Sequence, residues 1–236
     1  MEYLGHALRH EKKYYINESM CRTLRERLRV AANPDPNMKT EEGYLVSSLY
    51  FDDLYGSAWN EKEAGIRFRK KYRIRSYNRN DQMIRLECKR KYGEYISKDS
   101  MRISRAEYDA VLRGAYDVLL HRPDVLGQEL YALRHTVYIR PVTVVEYVRE
   151  AYVLEQGNVR ITFDKHISSS IGTLDMFSEE FEVCRVLKPQ IAVLEVKFDD
   201  YLPDTIFRVL KTAMADQCAI SKYVMCRKEK RRILFR

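Results

Sequence analysis

The chain has 236 residues, and its 42 Lys and Arg against 34 Asp and Glu give a formal net charge of +8. This length fits one large domain or two small ones, and 45% hydrophobic residues with 18 tyrosines exclude a disordered polyelectrolyte. No apolar run approaches the roughly 18 residues of a membrane span, and the first residues lack the apolar stretch of a signal peptide, so we expect a cytoplasmic location.

The chain lacks the motifs of several enzyme classes. Its nine glycines form neither a P-loop nor a G-x-G-x-x-G turn, and neither G-x-S-x-G nor H-E-x-x-H occurs. The five cysteines form no C-x-x-C pair and the five histidines show no metal-ligand spacing, so neither a zinc site nor a disulfide framework is predicted. Any chemistry is therefore expected from Arg, Lys, Glu and Tyr.

Four helices are predicted from capping residues, prolines and apolar spacing. Asn17 is a capping residue before an apolar stripe at i, i+4 spacing, which predicts a helix over residues 17–30. Ser104 and Glu107 form a capping box, and Gly114 ends the helix that follows. Two further helices are expected after Pro123 and Pro203.

Between the helices, polar and apolar residues alternate in six segments, which predicts strands with one polar and one apolar face. The simplest interpretation is an antiparallel sheet with its charged face in water. Such a face usually mixes signs, however, whereas residues 67–75 place five cations in a row on one face, where they repel one another unless an anion is near. A sheet that closes on itself, with the helices outside it, would turn the polar faces inward around a cationic tunnel. Antiparallel strands with separate helices of this kind make up an α+β fold, which is the fold class that we predict. The six segments are 9–16, 66–77, 84–91, 147–149, 159–164 and 191–199.

A cationic tunnel suits a linear chain of phosphates, because Arg and Lys on neighbouring strands offer donors about 5 Å apart. Duplex DNA is a poorer match, since its binders carry basic residues on helices or exposed loops, and we expect no nucleic-acid partner. Glu11, Glu87 and Glu195 lie among the cations and are candidate ligands for Mg²⁺ or Mn²⁺. Each of them could instead form a plain ion pair with a neighbouring lysine.

Eight short motifs resemble, in the same order, the catalytic domain of the VTC polyphosphate polymerases, a family of the triphosphate tunnel metalloenzyme (CYTH-like) superfamily. The resemblance spans about residues 9–227 and is nearest to stand-alone bacterial VTC-domain proteins. Eight motifs in one order make an accidental match improbable. The motifs are R-H-E-K-K-Y-Y-I at 9–16, S-L-Y-F-D-D at 48–53, K-Y-R-I-R-S-Y-N at 71–78, L-E-C-K at 86–89, E-Y-V-R at 146–149, V-R-I-T-F-D at 159–164, L-E-V-K at 194–197 and S-K-Y at 221–223.

The resemblance implies a closed antiparallel β-barrel with helices packed outside it, as one domain over residues 1–236. Arg9 replaces the first acid of the E-x-E-x-K motif found in many superfamily members, which favours a polymerase over a two-metal triphosphatase. The resemblance and the strand faces together give the expected site residues. We expect catalytic roles for Arg73, Arg75, Lys89, Arg149, Arg160 and Lys222, substrate binding by Arg9, Lys13, Lys91, Lys98, Tyr147, Lys197 and Ser221, and metal binding by Glu195, Glu11 and Glu87.

The implied function is a metal-dependent polyphosphate polymerase that transfers the terminal phosphate of ATP, or of another nucleoside triphosphate, to a growing inorganic polyphosphate chain. Its expected cofactor is Mn²⁺ or Mg²⁺. Two alternatives stay open at this point: a triphosphatase that hydrolyses triphosphate or tripolyphosphate, and a non-catalytic module that binds polyphosphate or nucleotides. Multi-domain relatives join this domain to membrane helices, so export of the product would require another protein, such as an unidentified membrane protein.

Overall fold

The structure is a computed structural model that describes residues 2–3 and 5–234. This part of the chain forms a ten-stranded antiparallel sheet, a two-stranded sheet and six α-helices, which confirms the predicted α+β class. The strands are β1 (Glu2–Tyr3), β2 (His6–Ala7), β3 (Arg9–Asn17), β4 (Asn33–Pro34), β5 (Tyr44–Asp52), β6 (Phe68–Tyr77), β7 (Asn80–Tyr92), β8 (Tyr95–Ile103), β9 (Arg140–Leu154), β10 (Val159–Ile171), β11 (Glu182–Arg185) and β12 (Ile191–Phe198). The helices are α1 (Glu18–Ala31), α2 (Ser57–Glu63), α3 (Arg105–Leu112), α4 (Val125–Thr136), α5 (Asp204–Leu210) and α6 (Lys222–Leu234).

Eight strands of the large sheet pair into a ring. The pairing runs β10, β12, β3, β8, β7, β6, β5, β9, and β9 pairs again with β10. All of these pairs are antiparallel. The pairing is thinnest between β3 and β8, where only Arg9 with Ile96 and His10 with Tyr95 are in register. A ring gives every strand an inner and an outer face.

Two of the three apolar cores attach α1, α3, α4 and α5 to the outer face of the ring. One core packs α3 and α4, through Tyr108, Val111 and Leu130, against the apolar positions of β6, β7 and β8. The other packs α1 and α5 against β3, β10 and β12, with Leu24 and Leu28 of α1 fully buried. Because these two cores use the apolar faces of the strands that they cover, the polar faces of those strands turn to the inside of the ring. The third core packs Tyr223 and Val224 of α6 against Tyr50 and Tyr147, on the side of the ring that faces inward.

The four predicted helices are all present, with the predicted caps. The side-chain oxygen of Asn17 accepts a hydrogen bond from the Met20 backbone, and Ser104 with Glu107 forms the capping box. Two helices were not predicted. α2 is a short helix, and α6 covers the basic segment at the end of the chain, where Tyr223, Val224 and Cys226 are buried. Within residues 2–3 and 5–234, the helices fall short of the length and apolar character that a membrane span requires.

Candidate functional site

A cavity of about 370 Å³ is lined by alternate residues of seven of the eight ring strands. Along β6, for example, Arg69, Lys71, Arg73 and Arg75 line it, whereas Tyr72 between them is buried in an outer core. The cavity therefore lies on the inner side of the ring. α2, α6 and the segment before α6 complete its wall.

The lining is strongly cationic. It contains twelve Lys or Arg side chains against two carboxylates, those of Glu11 and Glu195. So large an excess of one sign in a partly enclosed space attracts anions and raises their local concentration. The twelve cations are Lys13, Lys62, Arg69, Lys71, Arg73, Arg75, Lys89, Lys91, Lys98, Arg149, Lys197 and Lys222.

The two lining carboxylates form a compact network with three lysines. Lys13 Nζ lies 2.8 Å from Glu11 Oε1 and 3.3 Å from Glu195 Oε2. Lys89 Nζ donates to both oxygens of Glu11, at 2.5 and 2.6 Å, and Lys197 Nζ lies 2.9 Å from Glu195 Oε1. Burial acts to raise the pKa of both carboxyl groups, but the lysines outweigh it and hold each pKa below its usual value. Both groups are therefore carboxylates at neutral pH.

Glu11 and Glu195 are suited to share a divalent ion with a phosphate ligand. Among the described residues, no three Asp, Glu, His or Cys side chains come together as a metal cluster. Mg²⁺ and similar ions, however, are commonly held by one or two carboxylates together with substrate phosphate oxygens and water. Two deprotonated carboxylates bridged by one lysine fit that arrangement.

Glu87 has a different position from the other two candidate metal ligands. Its side chain is fully buried and does not line the cavity. Its carboxylate accepts a hydrogen bond from Arg73 Nε at 2.7 Å and one from Lys98 Nζ at 2.8 Å, and Arg75 Nη1 lies 3.7 Å away. Glu87 thus lies beneath these cations and orients them toward the cavity.

Two tyrosines and a serine hold the same arginines from the other side. Arg73 Nη1 donates to Tyr50 Oη at 3.0 Å. Arg75 donates to Ser48 Oγ at 3.2 Å and to Tyr147 Oη at 3.3 Å. The two guanidinium groups are therefore fixed on the wall before any ligand arrives, which lowers the entropic cost of binding an anion.

A second buried carboxylate, Asp164, positions two more cations. Both of its oxygens accept hydrogen bonds from Arg149, at 2.7 and 2.8 Å, and Lys222 Nζ lies 2.5 Å from Oδ2. Asp164 is fully buried on β10, and Lys222 begins α6. The start of α6 is thus tied to the ring at the cavity wall.

Besides Glu87, two of the predicted site residues do not line the cavity. Arg9 pairs with Asp199, at 2.8 Å, and donates to the Asn158 carbonyl. Arg160 pairs with Asp35, at 2.7 Å, and donates to Tyr44 Oη at 3.0 Å. Alternation puts Arg160 on the same face of β10 as Asp164, but it lies four residues along the strand and its guanidinium is held there.

Thirteen of the predicted site residues line the cavity together, and several other lining residues were not predicted. The strand pattern already contained Arg69 and Lys71, and the quoted motifs contained Tyr50 and Tyr223, but none of these four was assigned a role. Lys62 comes from α2, where no sequence pattern indicated it. The thirteen are Glu11, Lys13, Arg73, Arg75, Lys89, Lys91, Lys98, Tyr147, Arg149, Glu195, Lys197, Ser221 and Lys222.

Comparison with known proteins gives the family. The chain belongs to the VTC domain family, whose model matches residues 8–229. Among curated proteins, no sequence matches this chain. A crystal structure from Bacillus halodurans, described provisionally as an adenylate cyclase, has the same fold: its TM-score is 0.53 at 16% identity, over 92% of this chain and 96% of that chain. A Pyrococcus horikoshii protein gives a TM-score of 0.48 at 13% identity, over 94% of this chain and 99% of that chain.

Proposed function

We propose that this VTC-domain protein is a polyphosphate polymerase whose strand ring encloses a tunnel for phosphate chains. The observation that carries the proposal is the cavity wall, on which six strands present cations around only two carboxylates. The matching family model supports the same class of substrate. We further propose that residues 1–236 act as one domain.

The triphosphate would be bound by the cations that buried carboxylates hold in place. Arg73 and Arg75 are supported by Glu87, and Arg149 and Lys222 by Asp164. Arginine offers planar, paired donors that match the oxygens of a phosphate, and each charge-assisted hydrogen bond is about twice as strong as a neutral one. Lys13, Lys89 and Lys197 would then contact the phosphates nearest Glu11 and Glu195.

A divalent ion, Mn²⁺ or Mg²⁺, would be held by Glu195 and Glu11 together with phosphate oxygens. When bound, it would neutralise part of the negative charge that gathers where two phosphate groups meet. Lys13 and Lys197 already contact these carboxylates, so they would move from the carboxylates to the phosphates as the substrate enters. Arg9 lies outside the cavity and leaves these two glutamates as the acids of the site.

The proposed reaction moves the γ-phosphoryl group of ATP to the end of a polyphosphate chain. A terminal oxygen of the polyphosphate chain forms a bond to the γ-phosphorus, and the bond from that phosphorus to the β,γ-bridging oxygen breaks, with its electron pair leaving on ADP. Phosphoryl transfer needs mainly positioning and stabilisation of charge on the transferred group. The fixed arginines and lysines supply both, so the site needs no histidine or cysteine nucleophile.

The test is polymer formation by the purified chain from ATP and Mn²⁺ or Mg²⁺, with polyphosphate separated on a gel and ADP measured. Glu195→Gln keeps the side-chain shape and removes the charge, so we expect polymer formation to fall by about a hundredfold or more. Glu42→Gln, at an exposed position, is the matched control and should keep its rate. Release of free phosphate without polymer would replace the polymerase with a hydrolase, and binding without turnover would leave only a binding module.

A further inference from the structure

The twelve lining cations divide into two groups by their partners. Eight of them lie within 4 Å of a carboxylate. For the other four, no ion pair within that distance occurs among the described residues. We call these four the outer cluster: Lys62, Arg69, Lys71 and Lys91.

The outer cluster lies at one end of the β6 and β7 wall. Arg69 is directly opposite Lys91 in the strand register, and Lys71 is directly opposite Lys89. Arg73 is opposite Glu87 in the next pair on the same face, and Glu87 is the first acid that β7 contributes to this face from that end. Lys62 reaches the same region from α2, the helix that precedes β6. The positive charge of Lys62 contributes to lowering the pKa of Lys71.

Two successive like-charge pairs are unfavourable in a sheet. Among residues 2–3 and 5–234, the only polar side-chain partner of Lys71 is the Ser221 hydroxyl, at 2.8 Å, and the Lys71 ammonium lies 5.6 Å from the centre of the Tyr223 ring. Glu61 and Glu11 attract Arg69 from beyond 4 Å, but the effect of burial is larger and the pKa of Arg69 is lowered. An unneutralised group of this kind is stabilised when an anion enters it.

We propose that the outer cluster is a second phosphate-binding subsite, separate from the one that holds the triphosphate, and that it binds the polyphosphate chain. The role of this chain as acceptor rests on the proposed function, but its binding does not. Four basic side chains with no carboxylate of the described residues within 4 Å suit consecutive phosphates, each of which carries negative charge. A nucleoside at this position would leave the four charges unpaired, so the subsite distinguishes a phosphate chain from a nucleotide.

Binding of a polyphosphate chain at the outer cluster should be accompanied by the uptake of protons. Burial lowers the pKa of Lys71 well below its usual value, and the cations that face it, Lys89 and Lys13 from β7 and β3, Arg69 from its own strand and Lys62 from α2, lower it further. Tyr50 on β5, Arg73 on β6, and Lys222 and Tyr223 on α6 line the same wall. A bound phosphate raises the pKa of Lys71 again, so binding takes up protons over the pH range between the pKa of Lys71 in the free protein and that in the complex.

Calorimetric titration with three probes tests the subsite: tripolyphosphate, ATP, and long-chain polyphosphate. In Lys62→Met and in Lys91→Met we expect long-chain polyphosphate to bind about tenfold more weakly, the value of one lost charge-assisted hydrogen bond. Tripolyphosphate and ATP should lose clearly less, because the inner cations hold them. Lys70→Met is the matched control, because Lys70 lies between Arg69 and Lys71 on the outer face of the same strand and pairs with Glu129.

An equal loss for all three probes would overturn the separate subsite, and so would unchanged binding of long-chain polyphosphate in the Lys62→Met, Lys91→Met double variant. The melting temperature of each variant identifies any loss that comes from unfolding. Titrations in buffers of different ionisation enthalpy measure proton uptake, which we expect to be larger for long chains than for tripolyphosphate. If the selective loss occurs in a protein that forms no polymer, the subsite stands and only the proposed polymerase activity fails.

Discussion

At the scale of single residues, the cavity is organised by buried carboxylates that most of its cations share. Glu87 holds Arg73 and Lys98, and Asp164 holds Arg149 and Lys222. Breaking a buried ion pair by removing one partner is costly, because the other charge stays behind without compensation. The carboxylates therefore stabilise a binding surface that would otherwise repel itself.

Glu87→Gln tests this role. The amide keeps the size of the side chain but removes its charge, so the free energy of unfolding should fall by about 3 kcal/mol in a denaturant titration. Tripolyphosphate should restore part of the loss, since its oxygens neutralise the same arginines. Glu41→Gln, whose side chain is 82% exposed in its ion pair, should change stability by less than about 0.5 kcal/mol. Equal effects of the two substitutions would contradict the role of Glu87.

Lys71→Met should do the opposite and stabilise the ligand-free protein, by on the order of 1 kcal/mol near neutral pH, while weakening the binding of polyphosphate. The folded chain depresses the pKa of Lys71, so between that value and the ordinary value of 10.5 the unfolded chain binds more protons. The cost of burying Lys71 is thus largest at low pH and disappears as the pH rises to its unfolded value. Denaturant titrations at about pH 6 and about pH 9 should show the larger gain at the lower pH. A gain independent of pH, or equal to that of Lys70→Met, would count against this explanation.

At the scale of elements, α6 joins the cavity wall to the end of β5 and to α2. Its first two residues, Lys222 and Tyr223, line the cavity. Tyr223 and, one turn after it, Arg227 both donate to the buried Asp52 at the end of β5. Asp52 also accepts from the Ala58 backbone of α2, at 2.9 Å. One carboxylate therefore joins β5, α2 and α6.

Asp52→Asn should loosen α6 more than the rest of the fold. Amide hydrogen exchange in α6 should become faster, with a loss of local stability of about 2 kcal/mol, whereas exchange in the β6 and β7 pair should change little. Tripolyphosphate binding should weaken as well, because a loosened α6 holds Lys222 less firmly on the cavity wall. Lys228→Met, which removes a solvent-exposed ion pair of α6 with Glu63, serves as the control. Uniformly faster exchange across the chain would show a global effect instead.

The strands were predictable from the sequence to a greater extent than the helical parts of the site. Alternation identified the inner face of β3, β6, β7 and β12 because, where these strands line the cavity, charged residues on one face alternate with core residues on the other. The same pattern says nothing about position along a strand, and for this reason Arg160 and Arg9 were expected in the cavity. Lys62 lies on a short helix without an apolar stripe, and the basic run of α6 hid the three buried residues at its start, so neither helix was predicted, although the S-K-Y motif did indicate Lys222.

At the scale of the whole molecule, the ring has one thin seam, between β3 and β8. Eight residue pairs join β12 to β3, whereas two join β3 to β8. Lining residues on both sides of this seam, Lys13 on β3 and Lys98 on β8, face the same cavity. A phosphate chain that contacts both would hold the seam closed.

Ligand binding should therefore protect the seam selectively. Tripolyphosphate at about a hundredfold above its dissociation constant should raise the free energy of unfolding by about 2.7 kcal/mol. Hydrogen exchange at His10 and Ile96 should slow by a larger factor than exchange within β6. The same slowing at both places would show that the ligand acts only through global stability.

The polymerase that we propose moves the terminal phosphate of ATP onto a phosphate chain. The most direct measurement follows that phosphate, with γ-labelled ATP, an unlabelled polyphosphate primer and Mn²⁺, and with the products separated by chain length. We predict that the label enters the long chains in a one-to-one ratio with the ADP formed. Label found only in free phosphate, with the primer unchanged, would contradict the account.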